Sequence, residues 1–229
     1  MARGGILREG LGFDRCTVAV VTNIGSGDHL GLNYINSVEE LAVLKRVIVR
    51  NVAPNGYAVL NAADPNVAAM AVSCPGSVIY FAADRQHPVM ATHRAQGRRT
   101  VYVDRDTIVA AEGSWRERVP LRDVPFTRGG TLPFQVENAM AAVAAAWAVG
   151  LDWDTIRSGM ASFKNDAAGV PGRFNMMEFR GATAGRWSSA VPATAATATS
   201  ATRPASSARP STRSSSTRTP PSAAAPTAR

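Results

Sequence analysis

Three short apolar runs, TVAVVT (17–22), YAVLN (57–61) and SVIYFA (77–82), are separated by segments punctuated like helices. This alternation constrains the fold more than any other feature. Each run is β-branched or aromatic and nearly free of polar residues, as in a strand buried on both faces rather than one with a solvated side. Between the first two lies SVEELAVLKRVIVRNV. There Ser37 is an N-cap candidate, and Glu40 three residues on completes a capping box. Leu41, Leu44, Val47 and Ile48 share one helical face. Pro54-Asn55-Gly56 reads as a turn, and DPNVAAMAVSC as a helix with Pro65 in its first turn. Strand, helix, strand, helix, strand is the order of an α/β domain: a parallel sheet with helices on its faces.

Further along, RTVYVD and TIVAAEG read as a two-stranded excursion around Asp104–Asp106. ENAMAAVAAAWAVG is alanine-rich and helical. WDTIRSGMASF is another helix, capped by Asp152 or Asp154. VPGRFNMMEFRG begins a new strand after a Pro-Gly break, which places a domain boundary between 172 and 173. From residue 182 onward Ala, Ser, Thr, Pro and Arg account for nearly everything. Such a segment cannot bury enough apolar surface to offset its ordering entropy, so 182–229 reads as a disordered low-complexity tail. Two origins fit it: a basic nucleic-acid-binding arm, or GC-rich DNA translated out of frame. The abrupt change inside an apparent strand favours the second.

Charge supports that division. Six of the 25 basic residues lie in 182–229, which has no Asp, Glu or Lys, and residues 1–181 keep 19 basic against 17 acidic. The net charge of +8 therefore belongs mostly to the tail, and nucleic acid is not the favoured partner of the body. No apolar stretch approaches the roughly 20 residues of a membrane span, and the start lacks the apolar region of a secretory signal. Cys16 and Cys74 match no metal-site spacing, which points to a reducing, cytoplasmic setting.

The stretch NIGSGDHLG (23–31) follows the first strand directly. Loops at the carboxyl ends of parallel strands form the ligand crevice of α/β proteins. A histidine there can offer an imidazole to a metal, with Asp28 orienting it or adding an oxygen ligand. Read by themselves, the residues fit equally well a capping aspartate beside a surface histidine.

ARGGILREGLGFDRCTVAVVTNIGSGDHLG, ELAVLKR, GYAVLNAADP, PVMATHRAQG, FQVENAMAAVAAAWAVGL and VPGRFN together resemble the central ATPase domain of the Mur ligase superfamily. More narrowly they are similar to the carboxy-terminal half of the cyanophycin synthetases. The resemblance covers roughly residues 2–181. It implies a parallel-sheet central-domain fragment over 1–172, the start of a carboxy-terminal ligase domain at 173–181, and the tail beyond. It implies ATP and Mg²⁺ as cofactors. His29 would bind the Mg²⁺. Lys45 would match a lysine that some members carbamylate, and Asn61 and Asp64 would match an Asn-x-Asp-Asp stretch near the nucleotide. Asn138 would read the adenine edge, and Arg173 would approach the terminal phosphate. The chain departs from the pattern at Ala63, where the family has the first aspartate, and at Gly31, where other Mur ligases usually carry Asp.

The reaction implied is ATP-dependent activation of a carboxylate as an acyl phosphate, followed by amine attack to give an amide. In the cyanophycin synthetases the partners would be ATP, arginine, aspartate and the cyanophycin polymer, and a homo-oligomer is compatible with the full-length enzyme. No G-x-x-x-x-G-K-[ST] loop occurs in the 229 residues. By the resemblance that loop and a glutamate ligand precede ARGG, and a DYGHNP-like stretch follows RGAT. The expectation is thus a fragment, inactive alone and without measurable MgATP affinity. Two alternatives stay open: another Mur-type amino-acid ligase, and a non-catalytic nucleic-acid-binding protein using the basic tail.

Overall fold

The computed structural model describes residues 3–25, 30–31, 34–166, 168–170, 173–179 and 182–187. Among them a six-stranded sheet has the order β1-β2-β3-β4-β5-β6. Strands β1 (Cys16–Val21), β2 (Val52–Asn61), β3 (Ser77–Asp84) and β4 (Thr100–Asp104) are parallel. Strands β5 (Thr107–Glu112) and β6 (Trp115–Pro120) then add antiparallel to β4. The expected two-stranded excursion is therefore a continuation of the main sheet, and WRERVP is a strand with no counterpart in the sequence reading.

A parallel order that never reverses has a topological consequence. Right-handed crossovers then place every connecting helix on the same face. Accordingly α2 (Val38–Arg50), α3 (Pro65–Ala68) with the 3₁₀ turn Ala69–Ser73, and α4 (Pro88–Ala95) follow β1, β2 and β3 in turn. Their Leu41, Val49, Val67, Met70 and Met90 are buried with Ala58, Leu60, Tyr80 and Tyr102 of the sheet. The opposite face is covered by α5 (Pro133–Val149) and α6 (Trp153–Ser162), which pack Met140, Val143 and Ile156 on Val59, Ile79, Phe81 and Val101. Ala58, Val59 and Leu60 thus alternate between two cores through the pleat, which is why the strand carries no polar alternation. A short helix α1 (Arg3–Glu9) precedes β1.

The expected helix caps are present. Ser37 accepts the Glu40 N–H at 3.1 Å, and Glu40 Oε2 accepts the Ser37 N–H at 3.2 Å. Ser37→Ala is expected to cost about 1 kcal/mol in urea unfolding. Of the two candidates for α6, Asp152 is the cap, accepting the Thr155 N–H at 2.8 Å. DPNVAAMAVSC is helical only to Ala68 before tightening into 3₁₀ geometry. Pro54-Asn55-Gly56 is not a free turn but a bulge within β2. Three residues of β1, from Cys16 to Val18, span the stretch from Val52 to Tyr57.

After α6, β7 (Arg173–Phe179) pairs antiparallel with β8 (Ala182–Trp187) in a separate two-stranded sheet. β8 occupies the first six residues of the segment read as disordered. Their β-ladder to β7 supplies an ordering term that composition does not show. Residues 188–229 lie outside the described residues. Among the described residues no helix is long and apolar enough to cross a membrane.

Candidate functional site

The carboxyl ends of β1 and β2 are joined by one carboxylate. Asp64 caps α3 through Oδ1, which accepts the N–H groups of Asn66 (2.9 Å) and Val67 (3.2 Å). Its other oxygen accepts from Ile24 (2.6 Å) and Gly25 (3.0 Å), which precede the Asp-His pair in the sequence. Partial burial works to raise its pKa. Four backbone donors outweigh that and hold the carboxyl below its ordinary value. Asn61, the last residue of β2, is buried, and its Oδ1 accepts the Ala63 N–H at 2.9 Å. Both residues of the NAADP stretch are thus committed to backbone. Asp64 thereby fixes the backbone of Ile24 and Gly25 beside the start of α3. His29, the expected metal ligand, lies outside the described residues. No group of three or more His, Cys, Asp or Glu suited to a metal occurs among the described residues. Gly31 has φ +85°, in the left-handed region that an aspartate enters only with strain.

A second feature lies on the other face of the sheet. Asn138 and Gln135, one helical turn apart on α5, line a pocket of about 410 Å³ with Phe126, Phe134, Met160 and Phe163. The buried Gln135 accepts a hydrogen bond from Asn138 Nδ2 at 3.1 Å. Phe126 and Phe163 meet edge to face, 5.2 Å between centroids. With one amide proton committed to Gln135, Asn138 keeps a carbonyl oxygen and one N–H for another partner. That paired donor and acceptor beside aromatic walls fits a flat heteroaromatic base. Gln135 is absent from the sequence-derived candidates, although its i, i+3 spacing from Asn138 in FQVEN places the two side by side on a helix.

The remaining candidates lie on other elements. Lys45 is half-buried in the middle of α2, whose core residues pack on the sheet face opposite α5. Arg173 is the first residue of β7. The structure therefore brings together Asn61, Asp64 and the backbone of Ile24 and Gly25, and separately Asn138 and Gln135.

Residues 9–146 match the model of the Mur ligase middle domain. The chain belongs to the Mur ligase middle-domain family. Among curated Mur ligase relatives, cyanophycin synthetase of Synechocystis sp. is 47% identical over 177 residues, which is 76% of this chain and 20% of that protein. Cyanophycin synthetase of Crocosphaera subtropica is 45% identical over the same length. A UDP-N-acetylmuramoylalanine–D-glutamate ligase of Pelotomaculum thermopropionicum is 31% identical over 153 residues. The chain spans about a fifth of the length of the cyanophycin synthetases it matches. The fold agrees with a crystal structure of MurF from Acinetobacter baumannii, with a TM-score of 0.51 at 20% identity, covering 74% of this chain and 33% of that one. The sequence match and the fold agree on a mixed α/β Mur ligase middle domain.

Proposed function

We propose that this chain is the nucleotide-holding core of an ATP-dependent amide ligase of the cyanophycin synthetase type, incomplete as a catalyst by itself. Support for the ligase class comes from family membership, and for the narrower type from the 38–47% identity to cyanophycin synthetases. The observation that carries the nucleotide reading is the Asn138–Gln135 pair on the wall of the phenylalanine-lined pocket. Adenine offers an exocyclic amine beside a ring nitrogen acceptor, and the carbonyl and N–H of Asn138 complement that pattern. Phe126, Phe134 and Phe163 supply the apolar walls for the ring.

The triphosphate would extend toward the segment between β1 and α2. Asp64 fixes Ile24 and Gly25 in it, and His29 would take part in holding Mg²⁺. Arg173 would face the terminal phosphate, where a guanidinium offsets charge, and Lys45 would serve the metal-bound end if carbamylated. Bound ATP supplies the phosphoryl group that activates the acceptor carboxylate. Arginine and the aspartate side chains of the cyanophycin polymer are the proposed partners.

Two measurements test the reading. Calorimetric titration of the 229-residue chain with MgATP is expected to show no saturable micromolar binding. The sequence offers no Gly-Lys-Ser/Thr loop to supply the several N–H donors that phosphates need. The one or two hydrogen bonds of Asn138, about 0.5–1.5 kcal/mol each, do not offset an association cost of at least about 4 kcal/mol. Saturable micromolar binding lost in Asn138→Ala or His29→Ala would overturn the incompleteness. Secondly, the chain is substituted for the corresponding stretch of the Synechocystis cyanophycin synthetase. Phosphate release stimulated by arginine plus an aspartate polymer, and lost in Asn138→Ala, is expected. Stimulation by a different amino acid and acceptor would show another Mur-type specificity.

A further inference from the structure

A further cleft lies away from the carboxyl ends of the strands. It sits at their amino ends, has a volume of about 690 Å³, and is walled by Tyr57, Cys74, Tyr80, His93, Arg98 and Arg99 among others. Its volume is within the range of small-molecule sites, about 300–1,000 Å³. Neither the family resemblance nor the nucleotide reading uses it.

The cleft carries an unbalanced positive charge. Arg99 is neutralised in place: its Nε lies 3.0 Å from Glu112 Oε2. Its guanidinium is also stacked 4.9 Å from the Tyr57 ring centroid and 4.4 Å from that of Trp147. Such a sandwich fixes the group and removes it from competition for ligands. Arg98, one residue earlier, has no carboxylate partner among the described residues. Another titratable neighbour is His93, buried on α4, whose Nε2 lies 3.0 Å from the Val78 carbonyl. That contact makes Nε2 the donor. Burial holds the His93 pKa down against the raising effect of this bond, and the nearby Arg98 charge adds to the lowering.

We propose that this cleft binds a small oxyanion, a phosphate or a carboxylate, with Arg98 as its principal charged contact. Arg98 supplies a planar fork of N–H donors. Tyr57, Tyr80 and Val78 give an apolar surface for the body that bears the anion. The site is separate from the adenine pocket, so the proposal does not depend on the ligase reading.

The structure also provides reporters. Trp147 stacks on Arg99, and Trp115 lies 5.3 Å from Trp147, so filling the cleft changes tryptophan emission. Cys74 lines the cleft, whereas Cys16 does not. The test titrates sodium phosphate and, separately, sodium succinate into the 229-residue chain at constant ionic strength. Emission is followed together with the rate of Cys74 alkylation by iodoacetamide, with Cys16 as the internal reference. Saturation at about 1 mM or below with one of the probes is expected, and which probe saturates identifies phosphate or carboxylate as the class. Cys74 is expected to be protected and Cys16 unaffected. Arg98→Ala should weaken binding about tenfold or more, and Arg98→Lys less. Arg98 is exposed, so unchanged circular dichroism is expected for both variants. No saturation with either probe, or equal binding by Arg98→Ala, overturns the proposal.

Discussion

Gly76→Ala is expected to destabilise the domain by about 3 kcal/mol or to prevent its folding. A Cβ at position 76 would lie 2.3 Å from the Gly56 carbonyl oxygen and 2.6 Å from that of Ala53. Both are backbone atoms of β2, so no rotamer change relieves the overlap. Nor can β2 retreat, because a Cβ at Gly56 would itself lie 2.4 Å from the Thr17 carbonyl of β1. The amino ends of three strands are thus stacked through two glycines, and the bulge at Ala53–Gly56 permits that approach. A change of this size is a large part of a typical domain's stability, about 5–15 kcal/mol. The control is Gly159→Ala on α6, where an added Cβ meets nothing within 4 Å. It is expected to be neutral or to stabilise by up to about 1 kcal/mol through helix propensity. Urea unfolding of the three proteins decides the matter. Equal midpoints for Gly76→Ala and the parent would show that the strands separate at no cost.

The contrast between those glycines shows where sequence reading stops. Both are single glycines in ordinary segments, and only the approach of strands distant in sequence tells them apart. The parallel strands are legible because burial on two faces forces unbroken apolar runs, as in TVAVVT and SVIYFA. The start of α2 is legible because a capping box is a local pattern. WRERVP is not, since its charged residues suit one edge of an antiparallel ladder and carry no apolar signal. Helix α4 is equally silent, as His87 at its start makes no side-chain cap. The site divides in the same way. Asn138 is found through its motif, but Gln135 gains meaning only as its hydrogen-bond partner. Asp64 is readable as the cap of α3, three residues away at most. Its second pair of bonds, to residues 39 and 40 positions earlier, depends on β1 and β2 being neighbours. The amino-end cleft draws on β2, β3, α4 and β5 together, so no local pattern announces it.

Those long-range bonds of Asp64 lead to the second large effect. Asp64→Ala is expected to cost about 3 kcal/mol. Loss of the N-cap accounts for about 1 kcal/mol. The rest comes from the Ile24 N–H, a donor on a residue only 4% exposed, which is left without its acceptor at about 1–3 kcal/mol. Two readouts separate this from a general loss of packing. The amide protons of Ile24 and Gly25 should exchange with solvent far faster in the variant, beyond the change in global stability, because the loop is freed locally. The difference in stability between parent and Asp64→Ala should also depend on pH with a definite sign. The folded-state pKa of Asp64 lies below the unfolded value of about 3.9. Its contribution is therefore complete above that value and is lost as pH falls through the lower folded value. The two unfolding curves should differ fully near pH 7 and converge in acid. A difference that stays constant down to pH values where Asp64 is protonated in both states would show that its charge does not hold the loop. In the cyanophycin synthetase chimera proposed above, the same substitution should weaken MgATP use more than adenosine binding. Asp64 fixes Ile24 and Gly25, shortly before His29 in the chain, whereas the pocket proposed for adenine is lined from α5 and α6 and does not contain Asp64.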